Sequence, residues 1–345
     1  MTPLQKKNLA YALLLLALMA AVYFYRKNSS QQQDQTAWLV KLSGRAMGTT
    51  YHISYLDPQR NNYQPAIDSL LDLFNLSLST YLPDSEISRF NKGDSVVVQL
   101  PFFLPVLEKS RQIYLLTEGA FNPTVFPLVQ AWGFGSNQGP VKEEPKVDSL
   151  MQFVDFESIV VEGNTVKKTK KGVSLDFNAI APGYGVDLVA QLLRQRGIQN
   201  YMVEIGGEVV CQGKNQRGET WLIGIDNPVY EEKGGNPIQA KIRVENMALA
   251  TSGNYRKFYL KDGKRYAHTI DPKTGRPVEH NLLSATVLAK DCITADALAT
   301  AFMVMGTEKA RAFAQAHQMP VLLIYAEGEQ MKTYISPALQ PFLVE

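Results

Sequence analysis

Tyr266 to Thr307 reads Y-A-H-T-I-D-P-K-T-G-R-P-V-E-H-N-L-L-S-A-T-V-L-A-K-D-C-I-T-A-D-A-L-A-T-A-F-M-V-M-G-T, and it carries a turn, a strand and a helix in that order. Asp271-Pro272-Lys273-Thr274-Gly275 is the turn: Pro presets one backbone angle, Gly tolerates the left-handed one, and His268 stands just ahead. Leu282 to Leu288 reads as a strand. Thr294 then occupies an N-cap position before a run of good helix formers, Ala295 to Met305, which Gly306 is placed to terminate. On that helix Asp296 and Thr300 are four residues apart, so they share a face at its first and second turns.

A carboxylate and a hydroxyl on one face are hard oxygen donors, and a helix N-terminus favours anions. This end of the helix therefore has the chemistry to hold Mg2+ with phosphate oxygens completing the shell. Spacing alone also admits the commoner arrangement, in which Asp296 complements the helix dipole and Thr300 packs or bonds back to a carbonyl.

Working outward, Trp38 to Tyr55 is an amphipathic strand pair broken at Met47-Gly48. Gly48 admits close backbone approach, and Met47 offers a soft apolar contact of the kind that lies against a flat ring; a plain hairpin turn is the alternative. Pro65 to Leu78 has Ile67, Leu70, Leu71 and Phe74 at helical spacing. In Tyr81 to Asn91, Tyr81 can stack on a planar ligand or be an ordinary half-buried tyrosine. Ser85, Glu86 and Arg89 there have the spacing of a capping box and an i,i+4 pair. Phe102 to Thr117 is a further helix, Trp132-Gly133-Phe134-Gly135 is expected to pack beneath the site, and Asp148 to Asp155 is a short helix.

Ile159 to Lys171 is a hairpin through Glu162-Gly163-Asn164. Ser174 to Asp187 runs from a strand into a helix that ends near Arg196-Gly197. Such a junction presents backbone groups to a ligand and sets Asp176 at the strand end, where it can meet one. Pro182 suits the first turn of that helix. Tyr201 to Val210 and Trp221 to Ile225 are strand material, with Glu204 and Glu208 flanking the turn at Gly206-Gly207. Lys241 to Thr251 is read as one strand leading to Ser252-Gly253-Asn254-Tyr255-Arg256. The chain closes with helix Glu308 to His317 and strands Val321 to Tyr325 and Lys332 to Ile335. This irregular alternation with several hairpins predicts an α+β fold with mixed or antiparallel sheets and packed helices, not a doubly wound parallel sheet.

At 345 residues the chain can bury a sizeable core, and 35 basic against 33 acidic residues give no electrostatic case for nucleic acid. No G-x-G-x-x-G opens a helix after a first strand, no G-x-x-x-x-G-K-[ST] occurs, and neither H-E-x-x-H nor paired C-x-x-C is present. Dinucleotide-fold, P-loop and zinc chemistry are therefore not indicated. His268 has no G-x-S-x-G partner. Cys211 and Cys292 are the only cysteines, and both are expected as buried thiols.

The N-terminus departs from globular composition. Lys6 and Lys7 precede an apolar run from Leu9 to Tyr25 that Arg26 and Lys27 close. Its length fits a short membrane helix or a long signal segment; the missing small-x-small cleavage site and the Tyr23-Phe24-Tyr25 belt favour an uncleaved anchor. The expected organisation is an anchor at 1–27, a polar tether at 28–36 and one domain at 37–345.

S-G-N-Y-R at Ser252 to Arg256, A-H-T-I-D-P-K-T-G-R-P at Ala267 to Pro277 and T-A-D-A-L-A-T at Thr294 to Thr300 closely resemble the ApbE family of flavin transferases. Similar blocks occur in the family's order at Arg45 to Tyr51, Tyr81 to Asn91, Gly119 to Gly135, Ser174 to Asp187 and Val203 to Gly213, covering nearly all of the chain after residue 40. The resemblance implies a T-fold-related architecture and a domain outside the cytoplasmic membrane. It implies Mg2+-dependent cleavage of FAD, transfer of FMN to a threonine hydroxyl of a target protein, and release of AMP. The target would be a flavin-acceptor subunit of a membrane redox complex.

The same resemblance assigns Met47, Tyr81, Ala120, Phe121, Asn122, Asp176, Pro182, Ser252, Arg256 and Ile270 to flavin binding. The metal would fall to Asp296, Thr300 and the backbone carbonyl of Ala179. His268 is the expected general base, since its unperturbed pKa lies nearest operating pH; a satisfied core hydrogen-bonder is the alternative. This chain departs from the family pattern at Asn122, where Asp is usual, and at Pro182, where Lys is usual; Arg256, Lys257 or Lys273 are the cations available to compensate. An FAD pyrophosphatase and a non-enzymatic flavin carrier are the competing functions.

Overall fold

The computed structural model describes residues 19–20, 37–135, 139–141, 143–228, 236–254, 258–261 and 264–344. The expected anchor and tether lie outside them except for Met19 and Ala20, which are helical. Among the described residues no helix is long and apolar enough to cross a membrane.

Eight antiparallel strands make the main sheet, in the order β1 (Trp38–Ala46), β2 (Thr49–Asp57), β6 (Tyr201–Ile205), β7 (Glu208–Gln212), β10 (Met247–Gly253), β13 (Leu282–Ala289), β14 (Val321–Glu327) and β15 (Gln330–Ile335). A smaller sheet joins β3 (Ser95–Val97), β5 (Thr165–Lys168) and β4 (Ile159–Glu162), and another joins β16 (Leu343–Val344), β9 (Ile238–Val244) and β8 (Trp221–Asp226). β11 (Phe258–Lys261) and β12 (Lys264–Ala267) form a separate hairpin. The helices are α1 (Gln64–Leu78), α2 (Glu86–Lys92), α3 (Phe103–Leu116), α4 (Phe126–Ala131), α5 (Val147–Met151), α6 (Ala181–Gln195) and α7 (Cys292–Ala316).

Strand alternation explains the layering. On β10, Ala248 and Ala250 face the helical side while Leu249 joins Val209, Leu288 and Ile324 against Trp221, Ile225 and Ile242 of the small sheet. The central strand β13 is buried along nearly its whole length because both faces are covered, which is why its sequence is almost uniformly apolar. α7 places Ala295, Ala297, Ala299 and Ala301 inside, and these small side chains let α6 approach closely. A Cβ added at Gly183 would collide with the Cys292 carbonyl, and one at Gly185 would sit 3.0 Å from the Met47 sulfur.

Several local expectations change. Asp291, not Thr294, caps α7: its side chain accepts the Thr294 N–H at 3.0 Å, so the helix begins earlier and Asp296 and Thr300 fall in its second and third turns. Gly306 does break the helix, with φ 74 and ψ 174, and the second half continues at once. The neutral His280 imidazole fills the break: Nε2 donates to the Met303 carbonyl at 2.7 Å while Nδ1 accepts from the Leu282 N–H.

Ser174 to Asp176 forms no strand; the Asn91 side chain pairs with both the N–H and the carbonyl of Leu175, at 2.7 and 2.8 Å. Lys241 to Thr251 is two strands, β9 and β10, divided at Glu245-Asn246, where Asn246 takes φ 55. The helix expected at Asp148 to Asp155 is only Val147–Met151. Ser85 caps α2 as expected, accepting the Ser88 N–H; the residue that would close a capping box is Ser88 and not Glu86, which turns into the core and accepts from the Ser77 hydroxyl and the Gln99 N–H. Both cysteines are free and buried.

Candidate active site

The site is built where the first turn of α6 meets the second turn of α7. The first backbone N–H groups of a helix have no partner within it, and those of α6 are all accounted for. Ile180 and Ala181 donate to the Phe177 carbonyl, Pro182 has no N–H, and Gly183 donates to Asp296 Oδ2 at 2.9 Å. At α7, Cys292 and Ile293 donate to the two oxygens of Asp187, and Thr294 donates to Asp291. The Phe177 carbonyl and the carboxylates of Asp296, Asp187 and Asp291 therefore occupy the N–H groups at these two termini.

Asp296 is 5% exposed, and its Oδ1 has no donor among the described residues. Burial pushes its carboxyl up to about 7, against the Gly183 hydrogen bond and with help from the nearby charge of Asp187. Burial likewise pushes Asp187 up to about 6, although two backbone N–H groups oppose the shift. Thr300 Oγ1 lies 3.1 Å from Ser252 Oγ, across the gap between α7 and β10. Ser252 pairs with Ala285 in the sheet register, while its neighbour Thr251 points to the other face and bonds Thr286 at 2.8 Å. The Ala179 carbonyl accepts no hydrogen bond from the described backbone.

A buried carboxylate oxygen, a hydroxyl and a carbonyl, each with lone pairs to spare, match a hard divalent cation such as Mg2+. A cation here would relieve the desolvation that raises Asp296. Among the described residues no group of three His, Cys, Asp or Glu side chains could hold a metal, so the remaining ligands would have to come from substrate or water.

The other expected residues converge in two groups. Asp176 donates its N–H to the Pro123 carbonyl at 2.8 Å, which joins its loop to the block of Ala120, Phe121 and Asn122. Ala120 and Phe121 are buried in the same core as Ile180 and Ala181. Asn122 caps a short 3-10 helix, accepting from the Thr124 N–H and hydroxyl, a role that needs an acceptor oxygen and no charge. Burial pushes Asp176 up to about 6, against a hydrogen bond from the Asn178 N–H. Met47 adopts φ 54 in the β1–β2 turn and lies against α6 at Gly185, so the plain-hairpin reading describes its backbone but not its side chain.

His268 follows β12 directly. Its neighbour Thr269 donates to Asn254 Oδ1 at 2.7 Å, which ties the histidine segment to the strand that ends beside Ser252. Ile270 is 5% exposed and packs with Leu128, Trp132 and Val147, so its side chain is core. Tyr81 stands apart, 53% exposed, with no ring stacked on it among the described residues. Arg256 and Lys257 lie outside the described residues. Sequence reasoning gave no role to Gly183, Asp187, Asn91 or Asn254; only the Gly183 and Asp187 pair, four apart on one helix, left a visible signal.

Residues 47–323 match the model of the ApbE family. A FAD:protein FMN transferase of Vibrio cholerae is 42% identical over 321 residues, spanning 90% of this chain and 94% of that protein. One of Haemophilus influenzae is 39% identical over 317 residues, spanning 88% and 91%. Among solved structures, the flavin transferase ApbE of Vibrio cholerae superposes with a TM-score of 0.79 at 42% identity, covering 89% of this chain and 100% of that one. The apo form of Pseudomonas stutzeri flavinyl transferase ApbE gives 0.81 at 30% identity, covering 89% and 97%.

Proposed function

The chain belongs to the ApbE family, and from that premise we infer that it is an FAD:protein FMN transferase. The observation that carries the chemistry is the α6–α7 junction: Asp296 pinned by Gly183 with one oxygen lacking a donor among the described residues, the Ala179 carbonyl just ahead of α6 accepting no bond from the described backbone, and Thr300 set by Ser252. These three groups would hold Mg2+. When bound, the ion supplies charge neutralisation at the FAD pyrophosphate. Asp176, Met47 and the Ala120 to Asn122 block would seat the flavin end.

Transfer needs an acceptor hydroxyl in line with the FMN phosphorus. The hydroxyl oxygen bonds to phosphorus, the pyrophosphate P–O bond breaks, AMP leaves, and the hydroxyl proton goes to His268 as general base. The acceptor is a threonine of a target protein in a membrane redox complex. Lys6 to Lys27, basic at both ends and apolar between, supports a membrane anchor; its flanking charges nearly cancel, so placing the domain on the extracytoplasmic side rests on the family resemblance.

Incubating the chain with FAD, Mg2+ and an acceptor protein should yield AMP and a covalently fluorescent acceptor band. AMP without labelled acceptor would make it a pyrophosphatase, and neither product would make it a carrier. His268→Asn should lose on the order of 10²-fold or more in turnover; an unchanged rate removes His268 from the mechanism.

A further inference from the structure

Two carboxylates tie α6 to α7, one from each helix. Asp296 of α7 accepts the Gly183 N–H of α6 at 2.9 Å, while Asp187 of α6 accepts the Cys292 and Ile293 N–H groups of α7, one on each oxygen and both at 2.9 Å. Gly183 and Asp187 are four residues apart on one helix, and Cys292 and Asp296 are four apart on the other, so the two ties bracket about one turn of each helix. Nothing larger than glycine fits between them. A Cβ at Gly183 would strike the Cys292 carbonyl and lie 2.8 Å from the Asp296 Cβ.

The Asp296 tie also frees a carbonyl. Within a helix the Gly183 N–H would turn back to the Ala179 carbonyl, four residues earlier. It goes to Asp296 instead, and the Ala179 carbonyl accepts no bond from the described backbone. That diversion lasts only while the second turn of α7 stays against the first turn of α6, and Asp187 holds the two together one turn further along.

We propose that Asp187 is a positioning residue for the metal site, locking α7 against α6 in the register that leaves the Ala179 carbonyl and one Asp296 oxygen open together. The proposal rests on the reading of Asp296 as a metal ligand. Asp291 is the natural comparison: it caps the same end of α7 through the Thr294 N–H at 3.0 Å, but its ion pair runs to Lys109 of α3 and not to α6.

The test compares the full chain with Asp187→Asn, Asp187→Ala, Asp291→Ala and Asp296→Ala. It measures the Mg2+ half-saturation of AMP release, kcat at saturating Mg2+, Tm, and hydrogen exchange of the Gly183 amide in the metal-free protein. Asp187→Ala should raise the half-saturation point about 10- to 100-fold, recover most of its kcat at high Mg2+, and speed Gly183 exchange on the order of 10-fold. Asp187→Asn, whose amide oxygen still takes one N–H, should fall between it and the parent; if Asp187→Ala does not fold, the same outcomes are read from Asp187→Asn. Asp291→Ala should lower Tm and leave both Mg2+ half-saturation and Gly183 exchange unchanged. Parental half-saturation or parental Gly183 exchange in Asp187→Ala, or equal changes in Asp187→Ala and Asp291→Ala, overturns the positioning role alone. Parental Mg2+ dependence in Asp296→Ala overturns the metal reading and the positioning role with it.

Discussion

Asp296 accepts the backbone N–H of Gly183 at 2.9 Å, so a carboxylate on one helix caps the first turn of another. The same bond takes up one carboxylate oxygen and leaves the other without a donor among the described residues. A helix cap and a proposed metal ligand therefore meet in one side chain.

Gly183→Ala tests that contact by steric means. The added methyl would strike the Cys292 carbonyl and lie 2.8 Å from the Asp296 Cβ, forcing α6 and α7 apart. Overpacking of this kind costs about 1–3 kcal/mol. Urea unfolding should show that loss, and Mg2+-dependent AMP release should fall with it. Full activity at wild-type stability would mean that the helices separate without disturbing the site.

Asp296→Asn should make the metal-free protein more stable at pH 8 and leave it little changed at pH 4. The folded carboxyl keeps its proton to about 7, whereas the unfolded one releases it near 3.8, so the folded state binds more protons in between. Its contribution to stability therefore falls as pH rises through that window. The neutral amide still accepts from Gly183 and escapes the penalty. A rise in Tm on the order of 2 °C at pH 8 is expected, and calorimetry at the two pH values checks both the sign and the window.

Ser252→Ala removes the hydroxyl that orients Thr300 from 3.1 Å. Loss of such an outer partner lowers metal affinity by about 10–100-fold. Titrating Mg2+ against AMP release should show a raised half-saturation point with maximal rate recovered at high Mg2+. EDTA should abolish activity in the parent, and Mg2+ should restore it.

Asn91→Ala strips the N–H and the carbonyl of Leu175, a residue with no exposed surface, of their shared partner. Each buried backbone group left unpaired costs about 1–3 kcal/mol. Because Asp176 is the next residue, KM for FAD should rise as stability falls. A variant that melts earlier with unaltered KM would separate Asp176 from flavin binding.

Much of this arrangement was legible in the chain. The alternation in Thr49 to Asp57 buries Tyr51, Ile53 and Tyr55 as its period requires, and the hairpin at Glu162 to Asn164 forms where its turn residues stand. Helices at Pro65 and Phe102 appeared within a residue or two of their expected ends. The α7 cap was misplaced because Asp291 and Thr294 both suit the position, and Asp291 wins by lying three residues ahead of the N–H it accepts. The strand expected at Ser174 did not form; a side-chain amide, distant in sequence, pairs with Leu175 there instead.

The sequence by itself determined the α+β class, the longer helices and several hairpins, the i,i+4 spacing of Asp296 and Thr300, and membership of a flavin transferase family. Those rest on signals between near neighbours, or on motifs that survive as strings of residues. Only the tertiary structure decided that Asp296 caps Gly183 across 113 positions, that Asp187 closes the start of α7, and that Phe134 faces His268. Those contacts depend on the close approach that glycines in α6 and alanines in α7 permit, and no local periodicity encodes which partner arrives there.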